Sequence, residues 1–458
     1  MNKKVLLLHC PGDKVYLHDY YTSYSSKANY YWQPYDLVLL SGVLSRFELR
    51  VIDAIADKMS EEKCLQRIKD FKPDVLIFTT GTATWKNDHH FIQRLRPQTS
   101  CLILASGSIF LFESDYFLNK MPEVDGAILD IVSLEIAEYI DGNVTDTPAI
   151  RWRNSNFTQV VPSVLRSKNF SIPIPRHDLF NLKANRSPLA KNVPFAIVVT
   201  SIGCPFSCHF CVAGSIAYRY RELDNVLAEL SYLKSLGVKE IMFNDPTFTV
   251  SKKRVLQICQ ELLVMGKPFT WICNAHASTL SEELIEAMAR AGCHTVMIGV
   301  ESAHNETLTR CAKGVSPDKI IKVFRLCKKY GLRTLGYFII GLPGDNRQTI
   351  LQTINFAKQI DCDYASFAIL TPDVGSKLRS EAIKKGILDP SIYEFDSTCF
   401  PVFTSGELSL EEIWRLRKKA FRDFYLRPSY LFKRIINLRS FKEFTFLLDQ
   451  ARSMFIGT

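Results

Sequence analysis

Three closely spaced cysteines carry the clearest chemistry in the sequence. Cys204, Cys208 and Cys211 lie at CxxxCxxC spacing, directly after a predicted strand. Thiolates are the ligands of iron–sulfur clusters, and three of them hold three irons of a 4Fe–4S cube while the fourth iron stays open for a substrate or cofactor. A structural zinc site, which requires four ligands, and a thioredoxin-like Cys208–Cys211 pair are the alternatives. The spacing favours the cluster.

The other ten cysteines show no CxxC pairing. In a chain of this size we expect no disulfide framework, and most of them are expected to be buried thiols. Cys273 follows a predicted strand and Cys399 lies in the tail, so these two are candidates to approach the active cavity.

The cluster loop, with Phe210 before its last cysteine, resembles that of the radical S-adenosylmethionine (SAM) superfamily, and the resemblance runs from Phe195 to about Ile387. It implies that a 4Fe–4S cluster passes one electron to SAM. The resulting 5′-deoxyadenosyl radical would remove a hydrogen atom from an unactivated carbon of the substrate. A one-electron reductant such as flavodoxin or ferredoxin is the partner that this chemistry implies.

Further motifs follow later predicted strands in the order that this superfamily uses. The resemblance implies SAM contacts from Phe210, from Asn244 and Asp245 (amino group), from Asn274 and His276 (ribose and carboxylate), from Ile298 and Glu301, and from Gly341 and Leu342 (adenine). Each residue alone has a plain structural explanation, and only their joint order favours a site.

Three positions in these motifs leave alternatives open. Asn244 replaces a commonly acidic residue, and His276 stands where Arg or Lys is common, so it is also interpreted as an internally bonded polar residue. Arg219 and Arg221 resemble a basic pair of the family, but they are equally well explained as surface charges at a helix start.

The first 140 residues alternate short apolar runs with amphipathic stretches, which predicts a parallel sheet covered by helices on both faces. Followed by the cluster core, this sheet resembles the cobalamin-binding domain of radical SAM enzymes, among them the anaerobic chlorophyll-ring cyclase and the hopanoid head-group enzymes. The phrases DAIAD at 53–57, WICNAHAS at 271–278 and FYLRP at 424–428 are of their type.

The resemblance implies a corrin over the carboxyl ends of the strands. The residues that would line it are Thr79, Thr80, Gly81, Thr82, Ser106, Gly107 and Ser108. Two departures leave open a sheet that binds no corrin. The chain has no DxHxxG motif to mark a lower cobalt ligand, and residues 129–135 replace the usual GEGE-like turn.

The fold class that we predict is α/β: a Rossmann-like doubly wound parallel sheet, then a partial (β/α)6 TIM-type barrel, then a helical segment. The predicted domains are 1–142 for the cobalamin-binding-like sheet, 143–194 for a proline-rich linker with a hairpin near 150–160, 195–388 for the radical SAM core and 389–458 for the basic helical segment. The barrel strands are expected at 196–200, 240–243, 269–273, 295–300, 334–340 and 364–370.

The net charge of +10 over 458 residues is concentrated near the C-terminus. Ten Lys and Arg face one acidic residue between Arg415 and Lys442, interleaved with apolar side chains. We expect amphipathic helices that cover the open side of the barrel; a face on anionic lipid is the alternative. No apolar run is long enough to span a membrane, so the expected location is the cytoplasm, with the inner membrane face as the peripheral alternative.

Several reactions stay open at this level. Methyl transfer with cobalamin competes with radical rearrangement or oxidative ring formation, on a small-molecule or lipid-like substrate that no motif names. An RNA-modifying radical SAM enzyme is the runner-up, although the additional cluster cysteines and the RNA-binding domain expected of it are not found, so nucleic acid is not an expected partner. A non-catalytic iron–sulfur carrier would not need the SAM-type motifs, and no catalytic residue is assigned.

Overall fold

A computed structural model describes residues 2–26, 30–153, 169–406 and 408–436. The chain divides into two compact units. Unit 1 comprises Met1–Ser25, Tyr31–Cys204 and Ser215–Asp245, and unit 2 comprises Ser26–Tyr30, Pro205–Gly214 and Pro246–Thr458. The predicted domain boundaries at 142, 194 and 388 stay predictions.

Unit 1 is built on a six-stranded sheet in which the strands run parallel except the last. The strands of unit 1 are β1 Lys4–His9, β2 Tyr16–Asp19, β3 Thr22–Ser25, β4 Glu48–Asp53, β5 Val75–Thr79, β6 Leu102–Ser106, β7 Gly126–Ile128, β8 Ile150–Trp152, β9 Asn169–Phe170, β10 Phe195–Val198, β11 Ser201–Ile202, β12 Arg219–Arg221 and β13 Glu240–Phe243. The large sheet has the order β4-β1-β5-β6-β7-β8. Its central strands are continuous apolar runs, as expected of strands buried on both faces.

Six helices accompany these strands. They are α1 Tyr35–Val43, α2 Glu61–Phe71, α3 Trp85–Leu95, α4 Ser108–Lys120, α5 Glu135–Asp141 and α6 Leu223–Ser235. The sequence pattern predicts helices over 37–46, 61–71, 89–95 and 223–236, which correspond to α1, α2, α3 and α6, and it predicts no helix over α4 or α5. β10 pairs in parallel with β13, and β12 pairs with β11 and β9.

The strand register of the large sheet aligns polar residues along its carboxyl edge. His9 pairs with Asp53 on one side and with Thr79 on the other, and Thr79 pairs with Ser106. Four chemistry-bearing side chains therefore form a row where the parallel strands end, which is where ligands bind in such sheets.

A hairpin formed by β2 and β3 lies beside this edge. Its turn is shaped by Asp19, whose carboxylate accepts hydrogen bonds from the backbone N–H groups of Tyr21 and Thr22 at 3.2 and 3.1 Å. No pattern in the sequence predicts this hairpin. The hairpin expected near 150–160 lies largely outside the described residues; its described part is β8, which runs antiparallel to β7.

Unit 2 contains four parallel strands in the order β14-β15-β16-β17, and helices follow them along the chain. The elements are β14 Thr270–Ala275, β15 Cys293–Glu301, β16 Arg333–Ile340, β17 Tyr364–Ile369, α7 Lys252–Val264, α8 Glu282–Arg290, α9 Asn305–Arg310, α10 Pro317–Lys329, α11 Arg347–Gln359, α12 Lys377–Lys384, α13 Leu410–Tyr425 and α14 Pro428–Ile436. The six predicted barrel strands correspond to β10 and β13–β17 within two residues at every end.

Local signals explain why these helices start where they do. Ser251, Ser281, Ser316 and Asn346 are N-caps whose side chains accept a hydrogen bond from the backbone three residues on. Such caps satisfy donors that the first turn of a helix leaves unpaired.

The basic helix α13 packs its apolar face on β17. Phe367 of β17 contacts the rings of Phe421 and Phe424 at centroid distances of 5.5 and 6.2 Å. The Tyr425 hydroxyl bonds both the N–H and the carbonyl of Ala365, at 3.1 and 2.7 Å. The apolar face of α13 thus packs on β17; that this segment covers the open side of the barrel stays a prediction. No helix among the described residues is both long and apolar enough to cross a membrane.

Candidate active site

The cluster loop begins in unit 1 at a tightly constrained glycine. Gly203 has φ +73°, and a Cβ there would lie 2.5 Å from the carbonyl oxygen of Ala217. Its N–H donates to the hydroxyl of Tyr21, on the turn of the β2–β3 hairpin, at 2.9 Å. Only glycine suits this backbone, so Gly203 sets the entry of the chain into Cys204.

In unit 2 the loop is attached by its backbone to the segment after β15. The N–H of His209 donates to the carbonyl of Cys311 at 3.0 Å, and the carbonyl of His209 accepts from the N–H of Leu378 at 2.7 Å. The N–H of Cys211 donates to the carbonyl of Cys208 at 3.0 Å. These bonds fix the turn that carries two of the three cysteines.

The thiols of the loop differ from the rest in exposure. Cys208 is buried and Cys204 and Cys211 are half-buried, whereas nine of the other ten cysteines are buried and Cys399 is exposed. The thirteen cysteines, all within the described ranges, form no disulfide. Among the described residues no three His, Cys, Asp or Glu side chains converge on one point as ligands of a single ion would. The cluster site is therefore assigned from the donor chemistry and spacing of the loop, which fit a 4Fe–4S cluster.

Lys313 forms an ion pair with the predicted site residue Glu301. The Nζ atom of Lys313 lies 2.7 Å from Oε1 of Glu301, and both side chains are buried. The same Nζ lies 6.0 Å from the centroid of the Phe210 ring in the cluster loop. Burial lowers the pKa of Lys313, but the charges of Glu301, Cys208 and Cys211 outweigh it and hold the pKa above its ordinary value. Lys313 is not predicted from the sequence, since no spacing rule relates it to the loop.

His276 is fully engaged within the protein. Its Nε2–H donates to the carbonyl of Lys313 at 2.9 Å, and its Nδ1 accepts from the hydroxyl of Ser278 at 2.6 Å. The imidazole stacks on Phe206 of the cluster loop with centroids 4.1 Å apart. Burial, and then the charge of Lys313, lower its pKa to about 4, so the ring is neutral near pH 7. Both nitrogens are therefore occupied, which bears out the alternative of an internally bonded histidine.

The adenine motif and Phe210 meet in one apolar cluster. Phe210 packs against buried residues that include Leu342 and Cys311. Gly341, at φ +90°, and Leu342 both donate their N–H groups to the carboxylate of Asp345, at 3.2 and 3.0 Å. Burial raises the pKa of Asp345 to about 6. This carboxylate fixes the turn that follows β16.

The remaining strand-end residues of unit 2 lie at the same edge. Ile298 is fully buried and pairs with Ala275 of β14 and with Gly336 of β16. Asn274 precedes Ala275 and pairs with Met297. The register places Asn274 and Ile298 on neighbouring strands, with His276 directly after β14 and Glu301 at the end of β15. Their contact with SAM stays a prediction.

In unit 1 the two residues after β13 have different environments. The Asp245 carboxylate accepts hydrogen bonds from the Thr200 N–H at 2.6 Å, the Thr200 hydroxyl at 2.5 Å and the Ser201 hydroxyl at 2.9 Å. Burial nevertheless raises its pKa. Asn244 keeps a buried amide nitrogen with no hydrogen-bond partner among the described residues. Of the two, Asn244 is the residue with a donor left for a polar ligand such as SAM.

Arg219 and Arg221 are buried ion-pair partners, so the surface-charge interpretation is wrong. Arg219 makes two hydrogen bonds to Asp130, at 2.9 and 2.8 Å. Arg221 pairs with Glu229, which also accepts from Nε2 of His177 at 2.7 Å. Both arginines, Arg219 and Arg221, are less than 3% exposed.

The residues expected around a corrin are brought together at the carboxyl edge of the large sheet. Thr80 donates its N–H to the carbonyl of Ser106 at 3.0 Å, which joins the two strand-end loops. Thr79 and Thr80 donate their hydroxyls to Asp36 and Asp88, at 2.7 and 2.6 Å. All seven residues of the set are buried: Thr79, Thr80, Gly81, Thr82, Ser106, Gly107 and Ser108.

The β2–β3 hairpin packs directly on these loops. The Ser23 hydroxyl accepts from the N–H of Ala83 at 2.9 Å and occupies the space that a side chain at Gly81 would need. In this structure the strand-end residues therefore face protein, not an open cleft.

The same edge holds a buried histidine that the sequence analysis did not single out. His9 Nδ1 lies 3.0 Å from Asp53 and 3.1 Å from the hydroxyl of Tyr31. Its Nε2 and the Thr82 hydroxyl have no hydrogen-bond partner within the described ranges. Buried polar atoms without partners are rare and point to a missing water or ligand. The donor set thus suits a polar ligand such as the amide-fringed corrin, provided that the hairpin moves aside.

The two further cysteines that the sequence marks as candidates differ in exposure. Cys273 is a fully buried residue of β14, and Cys399 is exposed.

Three comparisons relate the chain to known proteins. Residues 198–357 match the model of the radical SAM superfamily. A protein of Pyrococcus horikoshii named as an uncharacterized methyltransferase is 31% identical over 415 residues, 88% of this chain and 90% of that protein. The anaerobic magnesium-protoporphyrin IX monomethyl ester cyclase of Rubrivivax gelatinosus is 22% identical over 91% of this chain and 78% of its own length.

A solved structure shares the fold. The cobalamin-dependent S-adenosylmethionine radical enzyme OxsB, with aqua-cobalamin and S-adenosylmethionine bound, aligns with a TM-score of 0.70 at 14% identity. The alignment covers 100% of this chain and 72% of that one.

Proposed function

The chain belongs to the radical SAM superfamily, an enzyme superfamily that uses a 4Fe–4S cluster and SAM, and we propose that it transfers a methyl group to an unactivated carbon of a small or lipid-like molecule. The observation that carries the choice of methyl transfer is the 31% identity, over nearly the whole chain, to a protein named as a methyltransferase. When bound, the cluster and SAM supply a 5′-deoxyadenosyl radical that removes a hydrogen atom from carbon.

The protein's own residues hold and shield these groups. Cys204, Cys208 and Cys211 would ligate the cluster, and the backbone bonds of His209 hold their loop. Phe210 and Leu342 form an apolar wall, which excludes water from a reaction that passes through radicals. In unit 2 the strand-end residues Asn274, Ile298 and Glu301 would orient SAM. In unit 1 the buried amide nitrogen of Asn244, which has no hydrogen-bond partner among the described residues, is a donor suited to a polar ligand.

For methyl transfer we propose cobalamin at the carboxyl edge of the large sheet in unit 1. The buried strand-end residues Thr79–Thr82 and Ser106–Ser108, with His9, would hold it. Cobalamin would supply the methyl group. The name of the Pyrococcus relative and the cobalamin in OxsB support this choice.

A second candidate is radical rearrangement or oxidative ring formation without cobalamin. The observation that favours it is the β2–β3 hairpin, which occupies the strand-end loops through Ser23. The name of the Rubrivivax cyclase also fits a reaction other than methylation. The RNA-modifying alternative is not favoured, because these relatives are named for small molecules or as methyltransferases.

Cobalt content separates these two candidates. The protein is reconstituted anaerobically with iron, sulfide and hydroxocobalamin, desalted, and analysed for cobalt. About one cobalt per chain, with reduced hydrogen exchange protection of residues 16–25 where the hairpin shifts, supports methyl transfer. Cobalt near zero in a protein that still cleaves SAM contradicts it and supports the second candidate.

The radical SAM assignment has its own test. Cys208→Ala should abolish cluster absorbance and the formation of 5′-deoxyadenosine from SAM under reductant, since one of three cluster ligands is lost. Cys399→Ala is the matched control, because it removes an exposed thiol outside the loop. Retained SAM cleavage by the Cys208 variant would contradict the assignment.

We further propose a flavodoxin or ferredoxin as the reductant.

We also propose a peripheral contact with anionic lipid through α14. Leu431 and Phe432 are 44% and 68% exposed, beside a segment rich in Lys and Arg. Apolar side chains among cations suit an interface with acidic headgroups. Flotation with phosphatidylglycerol vesicles should be lost in Leu431→Asp/Phe432→Asp; equal flotation of both proteins would exclude this contact.

A further inference from the structure

We propose that Lys313 and Glu301 form a charge pair that sets the reduction potential of the cluster in the Cys204–Cys211 loop, with Lys313 raising it and Glu301 lowering it. The inference rests on the proposed cluster chemistry. It assigns Lys313 as a positioning and electrostatic residue that acts on the cluster from the segment after β15.

Contacts on both sides of Lys313 place it against the cluster loop. The Nζ atom lies 6.0 Å from the centroid of Phe210, which is the residue before the last cluster cysteine. Two residues earlier in the Lys313 segment, the carbonyl of Cys311 accepts from the N–H of His209, which follows Cys208. The ammonium therefore neighbours the two thiols that flank His209 and Phe210.

The pair is held in one arrangement by its surroundings. Glu301 has φ +63°, a conformation that non-glycine residues rarely adopt, and Ala312 beside Lys313 has φ +52°. A Cβ at Gly299 would overlap Oε1 of Glu301 and lie 2.5 Å from Nζ of Lys313, so a side chain at this position would displace the charged ends of the pair. The carbonyl of Lys313 is held by His276 at 2.9 Å. Strained backbone retained in this way is typical of functional sites.

Elementary electrostatics gives the direction of each effect. A 4Fe–4S cluster on three thiolates carries a net negative charge that grows by one when the cluster takes up an electron. A buried ammonium stabilises the reduced form more than the oxidised form, and a buried carboxylate does the reverse. Because Lys313 and Glu301 are only 6% exposed each, water screens these effects weakly.

The test is a redox titration of the reconstituted full-length protein, followed by electron paramagnetic resonance in the absence of SAM. Lys313→Gln removes the cation, Glu301→Gln leaves it uncompensated, and Lys313→Arg keeps the charge. We expect the equilibrium constant for one-electron reduction to fall about tenfold in Lys313→Gln, a shift of about 59 mV. It should rise in Glu301→Gln and stay near the wild-type value in Lys313→Arg.

Opposite shifts of the two glutamine variants are the decisive result, because a merely structural disturbance has no reason to reverse its sign. Unchanged potentials, or shifts in the same direction, overturn the inference. Should Lys313→Gln fail to assemble a cluster, the expected rise in Glu301→Gln carries the test, and its absence overturns the inference.

Iron and sulfide content distinguish this failure from failure of the proposed function. A wild-type protein that assembles no cluster and forms no 5′-deoxyadenosine contradicts the proposed function itself. A wild-type protein that does both, with variants whose potentials do not move as described, contradicts only the role of the charge pair.

Discussion

At the scale of single residues, His276 shows how a predicted ligand can instead support the site. Its two nitrogens bond Lys313 and Ser278, and its ring stacks on Phe206. One imidazole therefore connects the end of β14, the segment after β15 and the cluster loop. A histidine used in this way must stay neutral, and its burial ensures that it does.

The lowered pKa of His276 predicts a loss of stability in mild acid. The folded chain resists protonation until about pH 4, whereas the unfolded chain binds the proton near pH 6.5. Stability from this group is therefore complete above pH 6.5 and is lost as pH falls towards 4. Between pH 7 and pH 5 we expect the free energy of unfolding to fall by about 2 kcal/mol through this residue alone.

Denaturant unfolding of the apoprotein at both pH values measures this effect. The pH-dependent loss should be smaller by that amount in His276→Gln. His90→Gln, which alters an exposed histidine of α3, should keep the wild-type dependence. Equal slopes for His276→Gln and wild type would show that this imidazole does not titrate as described.

A second residue-scale prediction concerns the buried pair of Arg219 and Asp130. Asp130→Ala leaves a guanidinium buried without its carboxylate, and such a loss costs about 3–5 kcal/mol. Asp141→Ala is the control, because Asp141 pairs with Arg46 at 2.6 Å on the surface, with side chains 35% and 40% exposed. Exposed pairs contribute under about 1 kcal/mol. Denaturation midpoints compare the two variants, and similar losses would refute the difference between them.

At the scale of elements, the sequence predicts regular helices and strands well, but it does not predict the β2–β3 hairpin. The bounds of α2 and β13 agree with the prediction at both ends, because periodicity and caps are local signals. The β2–β3 hairpin escapes prediction, since its sequence mixes Tyr, His, Ser and Asp without clear alternation. Its contacts with Gly81 and Gly203 join residues far apart in the chain.

The same contrast holds within the candidate site. The cysteines, Glu301 and the Gly341 turn are found from motif order. Lys313, Asp345 and the partners of Arg219 and Arg221 become evident only when distant segments meet, as Asp130 and Arg219 do across 89 positions. The resemblance to radical SAM enzymes with a cobalamin-binding-like sheet, and the α/β fold class with its barrel-type core, are confirmed.

In helix α1 we expect a glycine-to-alanine substitution to lower the stability of the protein, although such a change usually raises it. Gly42 lies inside this helix, where alanine normally adds about 1 kcal/mol of stability. A Cβ at Gly42, however, would overlap the carbonyl oxygen of Pro173 in the proline-rich segment and lie 3.3 Å from the nitrogen of Pro175. We therefore expect Gly42→Ala to destabilise the protein by about 1–3 kcal/mol.

Thermal unfolding tests this sign, with Ser231→Ala on the exposed face of α6 as the control. The control should leave the midpoint almost unchanged. A Gly42→Ala midpoint at or above wild type would mean that the proline-rich segment does not press on α1.

At the scale of the whole molecule, the basic residues near the C-terminus differ in their environments. Of the basic residues of α13, Arg417 is buried between the rings of Trp414 and Phe421 and donates to the carbonyl of Phe367 at 3.2 Å. Burial lowers the pKa of Arg417 to about 10. Others, such as Arg415 and Lys418, are exposed. The basic residues of α13 thus fall into two groups: Arg417 is packed on β17, and others lie at the exposed surface.

The distribution of cysteines leads to a prediction for the whole chain. Burial raises the pKa of seven thiols, which are Cys10, Cys64, Cys101, Cys259, Cys311, Cys327 and Cys362. Because the thiolate is the reactive form, these cysteines should resist alkylation. Iodoacetamide added to native, cluster-free protein should modify Cys399, Cys204 and Cys211 first, as read by peptide mass spectrometry. Early modification of the buried seven would contradict the packing described.

This arrangement also bears on how the enzyme survives air. Oxygen that destroys a cluster usually leaves oxidised thiols behind, and a chain with thirteen cysteines offers many wrong disulfides. Here the thiols outside the loop are nearly all packed away, and Cys399 alone among them lies at the surface. Thiol damage is therefore expected at the cluster loop and at Cys399, and we expect fresh iron, sulfide and a thiol reductant to restore the cluster without refolding the protein.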